Sequence, residues 1–212
     1  MPQANIGQKT ALDKTNIFIS LKAQGEKVTF RLAQGTYSYD GKHFTKTAEG
    51  WAIGYCPRIM SEEPCNLCQR YFEINKGVKK LKEENAPAGE ISEAEKESNL
   101  YKPKITFYYA ILNRDLKQAQ ILKATLSTRL KFDELQENGV DVMGSDFILT
   151  RTEKPGADYY SLIRKDSKDS PEIYEEELNE FGKAQVFNID ELAVSKKGSG
   201  DLAKTEEEED EK

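Results

Sequence analysis

Four side chains that can bind a metal lie in one short stretch of this chain, and they constrain its fold more than any other feature. The only histidine and all three cysteines of the 212 residues are His43, Cys56, Cys65 and Cys68. Their spacing is His-x12-Cys-x8-Cys-x2-Cys. Two cysteines separated by two residues, with Pro64 ahead of them, favour a tight turn that directs both thiolates towards one ion. We therefore expect three separate segments to converge on one point.

Three thiolates and one imidazole predict a structural zinc site. Cys3His is a common zinc ligand set, whereas hard cations prefer oxygen ligands. Four protein ligands leave no open coordination position, which is typical of a structural site. The odd number of cysteines argues against a disulfide framework, and a reducing compartment favours metal binding. The alternative is three buried free thiols and an unrelated surface histidine, which would make the clustering accidental.

One enzyme class has to be considered, because residues 64–68 fit the second half of the zinc-deaminase signature. That signature needs a glutamate two residues after the histidine as general acid and base, and this position is Thr45. Cys56 would also occupy the coordination position at which the reactive water binds. We therefore expect that the protein is not an enzyme.

Charge is distributed unevenly, although the formal net charge is −6. Residues 172–212 hold fourteen acidic and five basic residues, whereas residues 1–171 hold 23 acidic and 26 basic residues. This asymmetry predicts a mildly basic body and an acidic tail that is disordered when free. Because no apolar run approaches the ~18 residues of a membrane span and no signal-peptide pattern is present, we expect a soluble cytoplasmic protein without a membrane partner.

Short strands separated by turn residues dominate the body. Alternation of apolar and polar residues predicts strands at 17–21, 27–32, 51–55, 105–112, 118–124, 147–152 and 159–164. Helical patterns cover residues 69–83, a segment N-capped by Ser127 and ending at Asn138, and a segment from Pro171 to Gly182. Asp40-Gly41 predicts a hairpin turn. Closely spaced strands of this kind indicate a small closed or partly closed β-barrel.

These elements predict three parts. Residues 1–26 form an N-terminal arm, and residues 172–212 form a short helix with the acidic tail. The core of residues 27–171 carries a zinc subdomain at about 40–83 and an exposed insertion at about 84–99.

Cations alternate with aromatic residues along the predicted strands. Binding a single nucleic-acid strand without sequence choice requires cations along a groove and aromatic faces on which bases stack. Phe30, Phe107 and Phe147 fit a barrel core better, and the core is also the alternative for several tyrosines. The residues that meet the requirement are Arg31, Tyr37, Tyr39, Lys104, Tyr108, Arg114, Lys117, Arg151, Tyr160 and Arg164.

With its zinc spacing flanked by barrel-like strands, the sequence resembles the single-stranded DNA-binding proteins of bacteriophages. The similarity covers roughly residues 27–165, including Val-Thr-Phe-Arg-Leu at 28–32, the segment 43–68 and Phe-Tyr-Tyr-Ala-Ile-Leu at 107–112. It implies an OB-fold, a five-stranded Greek-key barrel, with an inserted zinc-binding subdomain and a few short helices. It also implies that Phe107 and Tyr108 approach DNA, and that zinc is held by His43, Cys56, Cys65 and Cys68.

The resemblance further implies a function in phage DNA replication, recombination and repair in the host bacterial cytoplasm. The protein would protect single-stranded DNA, and its acidic tail would recruit replication or recombination proteins. Residues 1–26 contain only Lys9, Lys14 and Lys22 and lack the family's basic cluster, so self-association on DNA stays open. The alternative is a zinc-containing phage interaction module that acts on host transcription or replication machinery and shows no salt-sensitive affinity for oligonucleotides.

Overall fold

The computed structural model describes residues 17–47, 50–152, 160–165 and 171–190. The predicted N-terminal arm up to residue 16 and the acidic tail from residue 191 onwards lie outside the described residues. Contacts divide the chain into two units. Of the described residues, the first comprises those up to Tyr37 and Phe107–Ile189, and the second comprises Ser38–Thr106 and Asp190.

Seven strands and five α-helices form within the described residues. The strands are β1 (Lys27–Leu32), β2 (Ser38–Thr47), β3 (Gly50–Tyr55), β4 (Lys104–Asn113), β5 (Gln118–Ala124), β6 (Asp146–Arg151) and β7 (Tyr160–Arg164). The helices are α1 (Pro57–Ser61), α2 (Asn66–Glu83), α3 (Ala88–Tyr101), α4 (Leu126–Glu137) and α5 (Leu178–Gln185), with a 3-10 turn at Glu175–Glu177. The expectation of a mainly β protein with a few helices is confirmed.

The first unit is built on five antiparallel strands. β1 pairs with β4 on one side and with β6 on the other, while β5 pairs with β4 and β7 pairs with β6. The order of these strands is therefore β7-β6-β1-β4-β5. α4 lies between β5 and β6 in sequence, and it contacts both β5 and β7, the two outer strands of this series.

The core of the first unit is formed by alternate residues of its strands and by Phe132 of α4. Its centre is a group of three rings, in which Phe30 lies 6.5 Å from Phe132 and 5.9 Å from Phe147 between ring centroids. The period of two is the pattern expected when one face of a sheet is buried. The fully assembled cluster consists of Val28, Phe30, Leu32, Phe107, Tyr109, Ile111, Leu122, Ala124, Phe132, Phe147 and Leu149.

The second unit combines the β2–β3 hairpin with three helices. α2 and α3 pack against each other, and the hydroxyl of the buried Ser98 donates to the Asn75 side chain at 3.1 Å. An ion pair between Lys82 and Glu95 at 2.6 Å also joins these helices. The insertion predicted at about 84–99 thus contains most of a helix that is packed rather than isolated.

Two local details of the first unit differ from the sequence predictions. The predicted strand at 17–21 is reduced to a parallel bridge between Phe18 and Ile121. Thr125 rather than Ser127 caps α4, because the Thr125 hydroxyl accepts from the backbone N–H of Thr128.

Two further predictions misjudged element boundaries. Asp40 and Gly41 lie inside β2 instead of forming a hairpin turn. The last helix begins at Leu178 and not at Pro171, and it is preceded by the 3-10 turn at Glu175–Glu177, whose start is capped by the Glu177 side chain accepting from the Tyr174 N–H.

Candidate metal centre and nucleic-acid interface

The second unit brings the four predicted ligands together from three elements. His43 lies in the middle of β2, and Cys56 follows the end of β3 as the residue that precedes α1. Cys65 occupies the N-cap of α2, and Cys68 lies in the first turn of the same helix. The positive end of a helix dipole stabilises thiolates, so the start of α2 suits two metal-binding cysteines.

The four ligand atoms form a compact cluster. The Cys56 and Cys68 sulfurs are 3.3 Å apart, and His43 Nε2 lies 3.4 Å from the Cys65 sulfur and 3.5 Å from the Cys68 sulfur. All four atoms lie within 4.8 Å of one another, and all four residues are buried. A zinc tetrahedron with Zn–S of about 2.3 Å and Zn–N of about 2.0 Å has edges of about 3.5–3.8 Å. These residues could therefore hold a metal ion, and their geometry is consistent with zinc.

A backbone carbonyl fixes the orientation of the histidine. His43 Nδ1 donates to the carbonyl oxygen of Tyr101 at 2.9 Å, at the end of α3. This bond leaves Nε2 unprotonated and directed at the sulfurs, which is the arrangement that a metal-binding imidazole requires. The carbonyl acts here as an outer partner of the ligand set.

Burial affects the protonation of these ligands. Burial raises the pKa of the Cys56 thiol and of the Cys68 thiol above the usual range. Burial also lowers the pKa of His43, against the opposing effect of the hydrogen bond to the Tyr101 carbonyl. The protein environment alone thus favours neutral thiols at Cys56 and Cys68, and a bound cation would offset the charge of their thiolates.

The packing around the cluster leaves little freedom. Ile59 and Leu67 pack against the three cysteines. The Cys56 N–H donates to the Gly41 carbonyl at 2.8 Å, which ties the cysteine to β2. A Cβ atom on Gly41 would lie 2.6 Å from the Ile59 side chain, so β2 needs glycine where α1 crosses it.

Among the predicted DNA-binding residues, two arginines are buried in ion pairs of the first unit. Arg31 Nε lies 2.7 Å from Asp146 Oδ1, and Arg114 Nη1 lies 2.9 Å from Glu177 Oε2. Arg114 Nε is also 3.6 Å from Asp146 Oδ2, so the four side chains form one buried charge network. Both guanidinium groups donate to the Pro171 carbonyl, at 2.8 Å from Arg31 and 3.3 Å from Arg114.

The other predicted cations of the first unit lie nearer the surface. Lys117 is exposed and forms an ion pair with Glu176. Arg151 is half-buried and donates to the Leu21 carbonyl at 2.7 Å, and the exposed Arg164 donates to the Ser145 hydroxyl at 3.0 Å. The fold thus places Arg31 and Arg114 in one ion-pair network. Lys117, Arg151 and Arg164 each contact a different partner.

The predicted aromatic residues range from buried to exposed. Phe107 and Tyr108 are each only 5% exposed, so a base could stack on either only after neighbouring side chains move. Tyr37 is half-buried, with its ring centroid 5.3 Å from that of Phe107, and Tyr160 is half-buried against the core. Tyr39, at 44% exposure, is the most accessible of the five.

Sequence patterns missed several residues that build these sites. Asp146 and Glu177 are buried acids, and their role depends on the register that sets Asp146 opposite Arg31. Tyr101 contributes through its backbone, which leaves no sequence signal. Gly41 lies inside β2 rather than in the predicted turn, and its close packing against Ile59 has no signal in the sequence.

No protein-family model matches the sequence, and no curated protein matches it. In the part of the chain that the structure describes, no helix has both the length and the apolar composition needed to cross a membrane.

Proposed function

We propose that this chain is an OB-fold protein that binds single-stranded DNA without sequence preference and is stabilised by one structural zinc ion. The observation that carries the proposal is the strand order of the first unit. Numbered within that unit, the strands lie in the order 5-4-1-2-3. Four of them have the order 4-1-2-3 that defines a Greek key, the arrangement of the OB barrel.

The helix and the insertion support the same fold. In a partly open barrel the two outer strands approach each other, and α4 contacts both β5 and β7. In OB-folds the loop between the first two strands is one of the loops that bind oligonucleotides. The second unit carries the four candidate ligands and is called the metal-binding unit below. It occupies that position in the sequence, between β1 and the part of β4 from Phe107.

The ligand set supports zinc in a structural role. Three sulfurs and one nitrogen match zinc chemistry, and the set is closed, with all four ligands buried. A bound zinc ion would stabilise the junction of β2, α1 and α2, because formation of such a site is coupled to folding. Four protein ligands fill a tetrahedral coordination sphere and leave no position for a reactive water, which supports a structural role for the ion.

We further propose that the protein acts in phage DNA replication, recombination and repair in the bacterial cytoplasm, and that its acidic tail recruits replication partners. The tail holds six consecutive acidic residues at 206–211. A tethered acidic segment can compete with DNA for cations and can also dock basic partner surfaces. This part of the proposal rests on sequence and on the phage-protein resemblance.

A salt titration tests the proposal. Fluorescence anisotropy of labelled oligo-dT is measured with the full chain at several salt concentrations, with a duplex of equal length as the control. We expect tight binding of the single strand that weakens linearly in log K against log salt, and far weaker binding of the duplex. Equal affinity for both forms would refute the barrel-groove mechanism.

A metal-containing protein-interaction module is the second candidate, and the ion pairs of the first unit favour it. Arg31, Arg114 and Lys117 already have acidic partners, which lowers the charge available to phosphates. This candidate predicts no salt-sensitive affinity for oligo-dT, so the same titration separates the two.

A further inference from the structure

One face of the β2–β3 hairpin combines aromatic rings with lysine side chains. Lys42 lies directly opposite Tyr55 in the register, and Phe44 lies opposite Ile53. Directly opposed residues project from the same side of an antiparallel pair, and residues two apart in a strand do so as well. These four side chains therefore share one face, while His43 between them points to the other side, towards the sulfurs.

Each ring on this face has an ammonium group above it. Lys42 Nζ lies 4.9 Å from the centroid of the Tyr55 ring. Lys104 Nζ, from the start of β4, lies 4.8 Å from the centroid of the Phe44 ring. We call the set Lys42, Phe44, Ile53, Tyr55 and Lys104 the hairpin face.

The hairpin face is accessible and positively charged. Lys104 is exposed, Ile53 is 59% exposed, and the two rings are half-buried. Asp40 forms a 2.6 Å ion pair with Lys42 and offsets much of its charge. The positive charge presented to a ligand therefore comes mainly from the exposed Lys104.

We propose that the hairpin face binds single-stranded nucleic acid, with bases stacking on Phe44 and Tyr55 and phosphates contacting Lys104 and Lys42. This inference rests on the proposed function and assigns to it a surface on the metal-binding unit. Phe44 and Tyr55 are diagonal neighbours in the ladder, about 7–8 Å apart between Cα atoms, which successive nucleotides can span. A lysine over each ring can move to the phosphate when a base takes its place.

The metal ligands lie next to the residues of the hairpin face in the sequence, so a bound metal ion would restrict the motion of this face. His43 lies between Lys42 and Phe44 in β2, and Cys56 follows Tyr55 directly. Metal binding on one side of the hairpin therefore fixes the backbone that carries the rings on the other side. A preorganised stacking surface loses less conformational entropy when it binds a ligand.

Substitutions of the rings and the lysine test this inference. Phe44→Leu and Tyr55→Leu retain apolar bulk but remove the stacking surface, and each is expected to weaken oligo-dT binding by about 5- to 150-fold. Lys104→Gln is expected to reduce the slope of log K against log salt by about 0.7, the value for one phosphate of a single strand. Lys79→Gln, which removes an exposed cation from α2, is the matched control and is expected to leave the slope unchanged.

Metal content, measured by elemental analysis, shows whether each variant keeps its site. If a ring variant loses metal, Ile53→Glu replaces it, because this exposed position can accept a charge without repacking and should repel phosphates. Wild-type affinity and slope in Lys104→Gln and Ile53→Glu would overturn the hairpin face and leave the proposed function intact. If the wild-type chain itself fails to bind oligo-dT, the proposed function and the hairpin face are both refuted.

Discussion

Replacing Asp146 by alanine should unfold the first unit far more readily than its small change in size suggests. Asp146 is 1% exposed at its side chain and lies between two buried guanidinium groups, 2.7 Å from Arg31 and 3.6 Å from Arg114. Arg114 keeps Glu177 as a partner in the variant, but within the described residues Arg31 keeps the Pro171 carbonyl and no carboxylate. Asp146→Ala therefore leaves one buried positive charge without a carboxylate.

The expected cost follows from this uncompensated charge. Removing one partner of a buried ion pair costs about 3–5 kcal/mol, and for a domain of this size that corresponds to a fall in Tm of about 6–20 °C. The matched control is Glu134→Ala, which removes an exposed pair with Lys131 on α4. Exposed pairs contribute about 0–1 kcal/mol, so this control should be almost neutral.

Urea denaturation followed by circular dichroism measures the free energy of unfolding of each variant. A double variant that combines Arg31→Met with Asp146→Leu should recover much of the loss, because it removes both charges. If Asp146→Ala costs no more than Glu134→Ala, Arg31 is not held as a buried charge. In that case Arg31 would be available to contact a phosphate, as the sequence predicts.

Three further outcomes are expected. Purified protein should contain one zinc per chain, and Cys65→Ser should release it and lower Tm; elemental analysis and thermal melts check this, and protein that lacks zinc after purification without chelator would contradict it. Gly41→Ala should cost about 1–3 kcal/mol in urea denaturation because its Cβ would lie 2.6 Å from Ile59, whereas Gly77→Ala in the open interior of α2 should stabilise by about 0.5–1 kcal/mol; similar effects of the two would refute the packing argument. Removal of residues 195–212 should tighten oligo-dT binding most at low salt, as measured by anisotropy, and an unchanged affinity would limit the tail to solubility or partner binding.

The ligands of the metal centre were predictable because they belong to residue types that are rare in this chain. One histidine and three cysteines left a single choice of four ligands, and the structure brings all four together. Strand positions such as Gln118–Ala124 were predictable because short segments in which apolar and polar residues alternate between turns are typical of strands.

The ion pairs and the grouping of the hairpin face were not predictable in the same way. An arginine in an alternating strand is equally compatible with solvent, DNA or a buried acid, and only the register that sets Arg31 opposite Asp146 decides. Tyr108 shares this ambiguity, because in β4 both the face with Phe107 and the face with Tyr108 are buried. The sequence does not reveal the grouping of Lys42, Phe44 and Tyr55, because this grouping depends on cross-strand pairing.

The hydrogen bond between His43 and Tyr101 has a kinetic consequence. Pairing of β1 with β4 sets Phe30 opposite Asn113, so the first unit must close a long loop before this part of its sheet can form. The His43–Tyr101 bond shortens that loop, since the chain between these residues no longer adds to its effective length. Loop-closure entropy grows by about 0.6 kcal/mol per doubling, so prior folding of the metal-binding unit would save about 1 kcal/mol in the search. A metal ion bound early would thus speed the pairing of β1 with β4, two strands that carry none of the four ligands.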